Sequence, residues 1–243
     1  MTWSYAQDID GATVQDDANI TLGTDYGTVK ICIHECGLST KYAFDNSAYG
    51  IGSDNGYGHG GATTTTMQYG KNISSYNNVQ YHAPADLLPF NTTFKYGITP
   101  GGIDTNANAS SHNVQGDTHG EMTQMAVTTQ PIDGLTLAGS YYDFGEMGTT
   151  DARQKQEGGS LSANYSIGSV SFGYGETMHA PAQAAGVGDS AAVVTDFYEN
   201  KGYSIGFAVN DNLSLSFTEE ESTINRKSKA QATDAITRTD VTM

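Results

Sequence analysis

Six short segments between Glu121 and Glu221 alternate apolar residues with small or polar ones. The last segment is typical, since Leu213, Leu215 and Phe217 alternate with Ser214, Ser216 and Thr218. Successive side chains of a strand point to opposite faces, so a period of two predicts β-strands that each have one apolar face.

The connections between these segments alternate in length. Short turns and long polar connections follow one another along the block: turns at 131–134, 168–169 and 210–212, and connections at 145–158, 177–200 and beyond Ser222. This alternation predicts an antiparallel meander with tight turns at one rim and long loops at the other. A transmembrane β-barrel has a reason to segregate its loops in this way, because its two rims face different compartments.

The polar face of each strand is mostly Ser, Thr, Gly, Ala and Asn, with few charges. Small polar residues suit a wet interior, whereas large apolar residues suit lipid. A soluble β-sandwich with one solvated face would show the same alternation and stays open as the alternative. In a barrel, ten residues of the apolar register should face outward: Leu135, Leu137, Tyr165, Ile167, Phe172, Ile205, Phe207, Leu213, Leu215 and Phe217.

The whole chain of 243 residues fits one β domain, 1–243. Its hydrophobic content is 37%, and no run approaches the roughly 20 apolar residues that a membrane-spanning helix needs. The net charge of −16 argues against nucleic acid as a partner, because phosphate binding needs a basic surface. The first residues carry no signal-peptide pattern, so we expect a mature chain or an internal fragment.

The first half of the chain predicts two strand pairs around a long irregular stretch. Ile20 and Leu22 start a hairpin that returns over Thr28–Ile33. A polar, glycine-containing stretch follows from Glu35 to about Asn77. Strands at 78–82 and 91–98 come next. A structureless loop of this length is uncommon in a compact domain, but a barrel can hold it in its interior.

With the hairpin, the long irregular stretch and the patterned strands in this order, the chain resembles the general porins of Gram-negative outer membranes. The segments that carry the resemblance are the hairpin at 20–30, the strand pair at 77–81 and 93–97, and the patterned strands at 134–142 and 202–209. The likeness spans about residues 19–221. It implies a homotrimer of roughly 16-stranded up-and-down barrels in the outer membrane. Such barrels contact lipid and lipopolysaccharide and pass small hydrophilic solutes and ions by passive diffusion.

The sequence departs from this family at both ends. It predicts only about ten or eleven strands, and the family's first strands and its aromatic-ended last strand are absent. We therefore expect either a partial chain that lacks these strands or a smaller barrel, because an open sheet would leave unpaired edges in lipid.

The resemblance also implies that the stretch 35–77 is a constriction loop whose part Glu35–Ile73 folds into the pore. The carboxylates of this loop would face basic residues of the wall, across a field that orients solutes and sets ion preference. The candidate constriction residues are Glu35, Asp45 and Asp54 on the loop and Lys30 and Lys95 on the wall. An ordinary exposed loop with solvated charges is the alternative.

The only two cysteines, Cys32 and Cys36, lie at the start of this stretch. In a straight strand, four residues exceed the Cα separation of a disulfide, so the chain must bend there for the bond to form. A disulfide, two free thiols and, more weakly, a metal site all stay open.

No catalytic or metal-binding motif is visible in the sequence. We therefore predict no enzyme and no cofactor. Two functional classes remain: a diffusion channel, and a secreted or surface β-rich binding or structural protein such as an adhesin, a lectin-like sandwich or a phage fibre domain.

Overall fold

The computed structural model describes residues 2–8, 14–33, 35–38, 72–75, 77–84, 86–99, 121–145, 152–180, 183–184, 195–210, 212–226 and 234–242. These ranges contain fourteen β-strands and one short 3₁₀ helix, Ile73–Ser75. The strands are β1 Thr2–Asp8, β2 Val14–Thr24, β3 Gly27–Ile33, β4 Asn78–His82, β5 Thr93–Thr99, β6 Met122–Ile132, β7 Leu135–Phe144, β8 Ala152–Gln154, β9 Glu157–Ile167, β10 Val170–Ala180, β11 Gln183–Ala184, β12 Thr195–Asn210, β13 Leu213–Arg226 and β14 Asp234–Thr242. Within the described ranges there is no helix long and apolar enough to cross a membrane.

Twelve of the strands form one antiparallel, up-and-down sheet in the order β1-β2-β3-β4-β5-β6-β7-β9-β10-β12-β13-β14. Each strand pairs with its neighbours along the chain, except that β8 and β11 form a separate two-stranded sheet. In the part of the chain that the structure describes, no ladder joins β1 to β14, and the sheet is open between these two strands.

Short turns lie at one rim of the sheet and long connections at the other, as the sequence predicts. The pairs β2–β3, β6–β7 and β9–β10 are joined at 25–26, 133–134 and 168–169. Gly134 has a φ of 77°, which a two-residue hairpin turn needs and which glycine adopts without steric cost. The short connection between β6 and β7 therefore depends on its local turn chemistry.

The two faces of the sheet are the reverse of those in a soluble protein, which buries its apolar face and exposes its polar one. The buried, inner face is largely polar, with Asn78, Gln80, Thr99, Gln124, Ser160, Ser162, Thr177, Asn200, Ser204, Ser216 and Thr218. The exposed, outer face carries large apolar side chains, among them Ile20, Ile31, Val79, Tyr96, Val127, Leu137, Leu161, Phe172, Ile205, Phe207 and Leu215. All ten residues predicted to face outward lie in this outer register.

On the outer face, tyrosine–carboxylate pairs mark one edge of the apolar band, although Met178 is exposed beyond the pair on β10. The hydroxyl of Tyr141 donates to Glu157 at 2.8 Å, and that of Tyr203 donates to Glu219 at 2.9 Å. Tyr174 and Glu176 form a third such pair on β10. Tyrosine suits a membrane–water interface because its ring is apolar and its hydroxyl is polar.

This edge of the apolar band crosses the hydrogen-bonded ladders obliquely. Leu161 of β9 pairs with Glu176 of β10, which pairs with Lys201 of β12 and, through it, with Glu221 of β13. Along this line of paired residues, the side chain is apolar on β9 and charged on β10, β12 and β13. If the edge runs parallel to a membrane surface, the strands are tilted from the membrane normal, as barrel closure requires at about 35–45°.

The structure contains more strand than the sequence pattern predicts. Residues beyond Ser222 were expected to be loop, but β13 continues to Arg226 and β14 follows. The expected connection 177–200 is shorter, because β10 extends to Ala180 and β12 begins at Thr195. These segments lack a clean period of two. They are strands because a neighbouring strand supplies their backbone hydrogen-bond partners.

Candidate functional site

One level of the inner face brings together residues of five successive strands. Lys30, Gln80, Gly97, Gln124 and Tyr142 pair with one another in turn across β3, β4, β5, β6 and β7. Inward positions alternate along each strand, so the same face continues above and below this level. This stretch of wall is where the two described ends of the segment 35–77 are held.

The first end of that segment is bound to the inner wall by amide side chains. Asn19 Nδ2 donates to the carboxylate of Glu35. Asn78 Nδ2 donates to the Glu35 carbonyl oxygen at 3.1 Å, and Gln80 Nε2 donates to the carbonyl oxygen of Cys36. The chain that leaves β3 therefore turns onto the inner face of the sheet.

The second end of the segment lies against the same wall. The backbone N–H of Ile73 donates to Gln124 Oε1 at 2.7 Å, and Asn78 Nδ2 donates to the Ile73 carbonyl oxygen at 3.2 Å. The two ends are also tied to each other, since the N–H of Leu38 donates to Asn72 Oδ1 at 3.3 Å. Asn78 thus contacts both ends of the segment.

Apolar packing supports these hydrogen bonds. Leu38 and Ile73 are completely buried, and they belong to a cluster with Met122, Ala126, Tyr142 and Phe144. Gly97 makes room for them, because a Cβ atom there would lie 2.8 Å from Ile73 Cδ1 and 3.0 Å from Leu38 Cδ1. The segment 35–77 therefore packs, through Leu38 and Ile73, against the apolar inner patch of β5–β7.

Cys32 and Cys36 form a disulfide, with their Cα atoms 6.2 Å apart. The bend that such a bond needs is present, because β3 ends at Ile33 and Cys36 has a positive φ of 69°. The bond joins the last inward position of β3 to the start of the segment, and it fixes the direction in which the chain leaves the strand.

We expect reduction of this disulfide to lower the free energy of unfolding by about 2 kcal/mol. The loop that it closes is short, with a sequence separation of 4, and the chain-entropy contribution of such a loop is small. Urea titration of the folded protein in lipid vesicles, with and without reductant, measures the difference. The double variant C32S/C36S is the control, and a stability of that variant that still depends on reductant would contradict the assignment.

The predicted basic residues lie on the inner wall. Lys30 and Lys95 are inward-facing and half-buried, and Lys95 pairs with His82 of the neighbouring strand β4. Among the described residues, Glu35 bonds to Asn19 and forms no ion pair with either lysine. The other two predicted constriction residues, Asp45 and Asp54, lie outside the described residues.

An aromatic cluster occupies the wall beside this site. The Tyr142 hydroxyl is hydrogen-bonded to Nδ1 of His179, and the His179 ring stacks on Tyr198 with centroids 5.9 Å apart. Tyr142 also meets Phe144 edge-on at 6.0 Å. The connection predicted at 177–200 includes His179. This histidine lies buried in β10 instead, because that strand is longer than its alternation indicates.

The amide side chains that anchor the segment 35–77 were not predicted from the sequence. Asn19, Asn78, Gln80 and Gln124 hold the segment to the wall. A signal was available, since Asn78 and Gln80 occupy the inward positions of a strand that was correctly predicted. Long amide side chains among the small residues of a wall are suited to bind the backbone of a neighbouring segment.

The chain is similar to solved structures of two outer-membrane or porin proteins. One is OmpTΔL8, a loop L8 deletion mutant of OmpT, an outer membrane protein of Vibrio cholerae, with a TM-score of 0.55 and 15% identity over 95% of this chain and 69% of that chain. The other is a porin, with a TM-score of 0.49 and 10% identity over 93% of this chain and 76% of that chain. No protein-family model matches the sequence, and no curated protein is significantly similar to it.

At this identity the likeness to OmpTΔL8 shows the fold and nothing about activity. In this chain the strands pair antiparallel in an up-and-down order, and the exposed face of the sheet is apolar. The chain thus has the all-β, antiparallel up-and-down fold of outer-membrane β-barrel proteins, which agrees with the outer-membrane location expected from its sequence.

Proposed function

We propose that this protein is an outer-membrane porin, a water-filled channel through which small hydrophilic solutes and ions diffuse passively. The observation that carries the proposal is the reversal of the two faces: the inner wall is polar and the outer wall is apolar. In water this arrangement would expose a wide apolar surface. In a bilayer the same surface meets lipid, and the polar wall lines an aqueous path.

The segment 35–77 is proposed as the constriction of this channel. Both of its described ends, Glu35–Leu38 and Asn72–Ser75, are anchored on the inner wall. A segment held on the inside at both ends has the simplest path through the lumen. Asp45 and Asp54 would then lie across from Lys30 and Lys95, where low-dielectric walls focus the field of each charge.

We expect this channel to prefer cations modestly over anions at low salt. The chain is acidic, with a net charge of −16, and the proposed constriction contributes carboxylates to the pore. The preference should weaken as salt rises toward molar, where the screening length falls to about 3 Å. Reversal potentials across a planar bilayer under a salt gradient measure the ratio directly.

The double variant D45N/D54N should reduce the cation preference. D86N/D133N is the matched control, because it removes the same charge from the short-turn rim. The segment 35–77 leaves the sheet at the other rim, where the long connections lie. Clear anion preference of the unmodified protein would contradict the proposal. So would an equal effect of the two double variants, since it would show that the segment does not set the selectivity.

We also propose that the barrels assemble as a homotrimer in contact with lipid and lipopolysaccharide. The exposed apolar outer face supports this proposal, because part of it can pack against a second copy while the rest meets lipid. Light scattering coupled to size exclusion in mild detergent should give three chains per particle. A particle that contains one chain would contradict this assembly.

A further inference from the structure

The turn between β4 and β5 differs from the other turns at the same rim. It exposes three large apolar side chains, with Leu87 at 64%, Leu88 at 37% and Phe90 at 61% of their full accessibility. The other short turns at this rim contain Asp25, Asp133, Ser169 and Asn212, and the β2–β3 turn also exposes Tyr26 at 86%, a ring that ends in a polar hydroxyl. An apolar group concentrated in one turn indicates a contact that the other turns do not make.

The backbone of this turn is held in a conformation that presents Phe90 outward. Phe90 has a φ of 61°, a left-handed value that is unfavourable for a bulky side chain. Hydrogen bonds from β6 hold it there: the N–H of Gln130 donates to the Phe90 carbonyl oxygen at 2.8 Å, and Thr129 Oγ1 donates to the same oxygen at 3.3 Å. The N–H of Thr92 also donates to the Pro89 carbonyl oxygen at 3.2 Å. Strain that neighbouring strands maintain is a reason to look for function.

The turn continues the apolar band of the outer face. Phe90 is bonded to the end of β6, and Val127 of the same strand is exposed in the outer register. The neighbouring Leu137 of β7 pairs with Thr129 and is exposed as well. Between Ala83 and Thr92 the only charged residue is Asp86. An apolar surface that adjoins a lipid-facing band and carries one charge fits the boundary between head groups and acyl chains.

We propose that the turn 86–91 inserts Leu87, Leu88 and Phe90 into the membrane interface at the short-turn rim and anchors the barrel at that depth. The inference rests on the proposed membrane location. A lipid interface accepts these side chains without a complementary protein pocket, and the carboxylate of Asp86 is exposed and can stay in water. The rigid hydrogen-bonded backbone keeps the side chains from folding back.

Tryptophan fluorescence in vesicles with brominated lipids tests this proposal. Trp3 is the chain's single tryptophan, so F90W is placed in a W3F background. F172W, on the outer face of β10, is the matched reference because it makes the same exchange within the apolar band. Separate vesicles carry bromine near the carbonyl end or near the methyl end of the acyl chain.

We expect F90W to lose more emission with bromine near the carbonyl end, and F172W to be quenched in both kinds of vesicle. If F172W is quenched and F90W is not, the turn projects into water or packs against a second copy, and the anchor is overturned while the membrane location stands. If neither variant is quenched, the membrane location itself fails, and the anchor fails with it.

Discussion

We expect Leu215→Arg to lower the free energy of unfolding by about 2–4 kcal/mol when the protein is folded in a bilayer with residue 215 near the midplane. Leu215 is the middle of the three outward apolar residues of β13, between Leu213 and Phe217, and 42% of its side chain is exposed. An arginine at this level would have to leave water for hydrocarbon. Urea-induced unfolding from lipid vesicles measures the change.

The contrast with a soluble protein makes this result informative. If the outer face met water, an exposed leucine replaced by arginine would change stability by no more than about 0.5 kcal/mol. Ser214→Arg is the matched control, since residue 214 is next along the same strand and faces inward. We expect only a small loss for that control. Equal losses for the two variants would argue against a lipid-facing outer wall.

The second large effect is expected from Ile73→Ala. Ile73 is fully buried against the inner wall, and truncation of such a side chain costs about 2–5 kcal/mol. The contact that is lost is the one that holds this end of the segment 35–77 to the inner wall. We therefore expect lower stability together with a larger and noisier single-channel conductance, as recorded in a planar bilayer.

Ile31→Ala is the control for this prediction, because Ile31 is exposed on the outer face of β3. It removes the same atoms without touching the inner wall, and the conductance should stay unchanged. A variant I73A with lower stability but unaltered conductance would show that the segment plays no part in the permeation path.

The strands that alternate most cleanly are those that the sequence predicts best. Leu213–Thr218 and Val170–Gly175 have a strict period of two, and both are strands with the expected outward face. Residues 234–242 show no such period, yet they form β14. Pairing with a neighbour decides such segments, and a pattern within one segment does not contain that information.

The candidate site was predictable only in part. Inward register follows from alternation, so Lys30 and Lys95 could be placed on the wall. The spacing of Cys32 and Cys36 could not decide between thiols and a disulfide, because the outcome depends on where β3 ends. The space that Gly97 leaves for Leu38 and Ile73 depends on tertiary packing between distant segments, which no local pattern records.

The structure also differs from the alternative class, a soluble β-sandwich. In a sandwich the apolar faces of two sheets pack against each other, and polar residues cover the outside. Here one continuous sheet of twelve strands buries its polar face and exposes its apolar face. The secreted binding or structural protein that the sequence left open would need a partner over most of that exposed surface.

Accessibility along β12 in a bilayer tests the central claim most directly. Single spin labels are introduced from Tyr203 to Val209 in the C32S/C36S background, and collisions with oxygen, which enters lipid, are compared with collisions with a water-soluble nickel chelate. Oxygen collisions should peak at residues 203, 205, 207 and 209, and nickel collisions at 204, 206 and 208. Oxygen and nickel collision profiles with maxima at the same residues, or nickel maxima at the odd positions, would contradict a barrel with lipid outside and water inside.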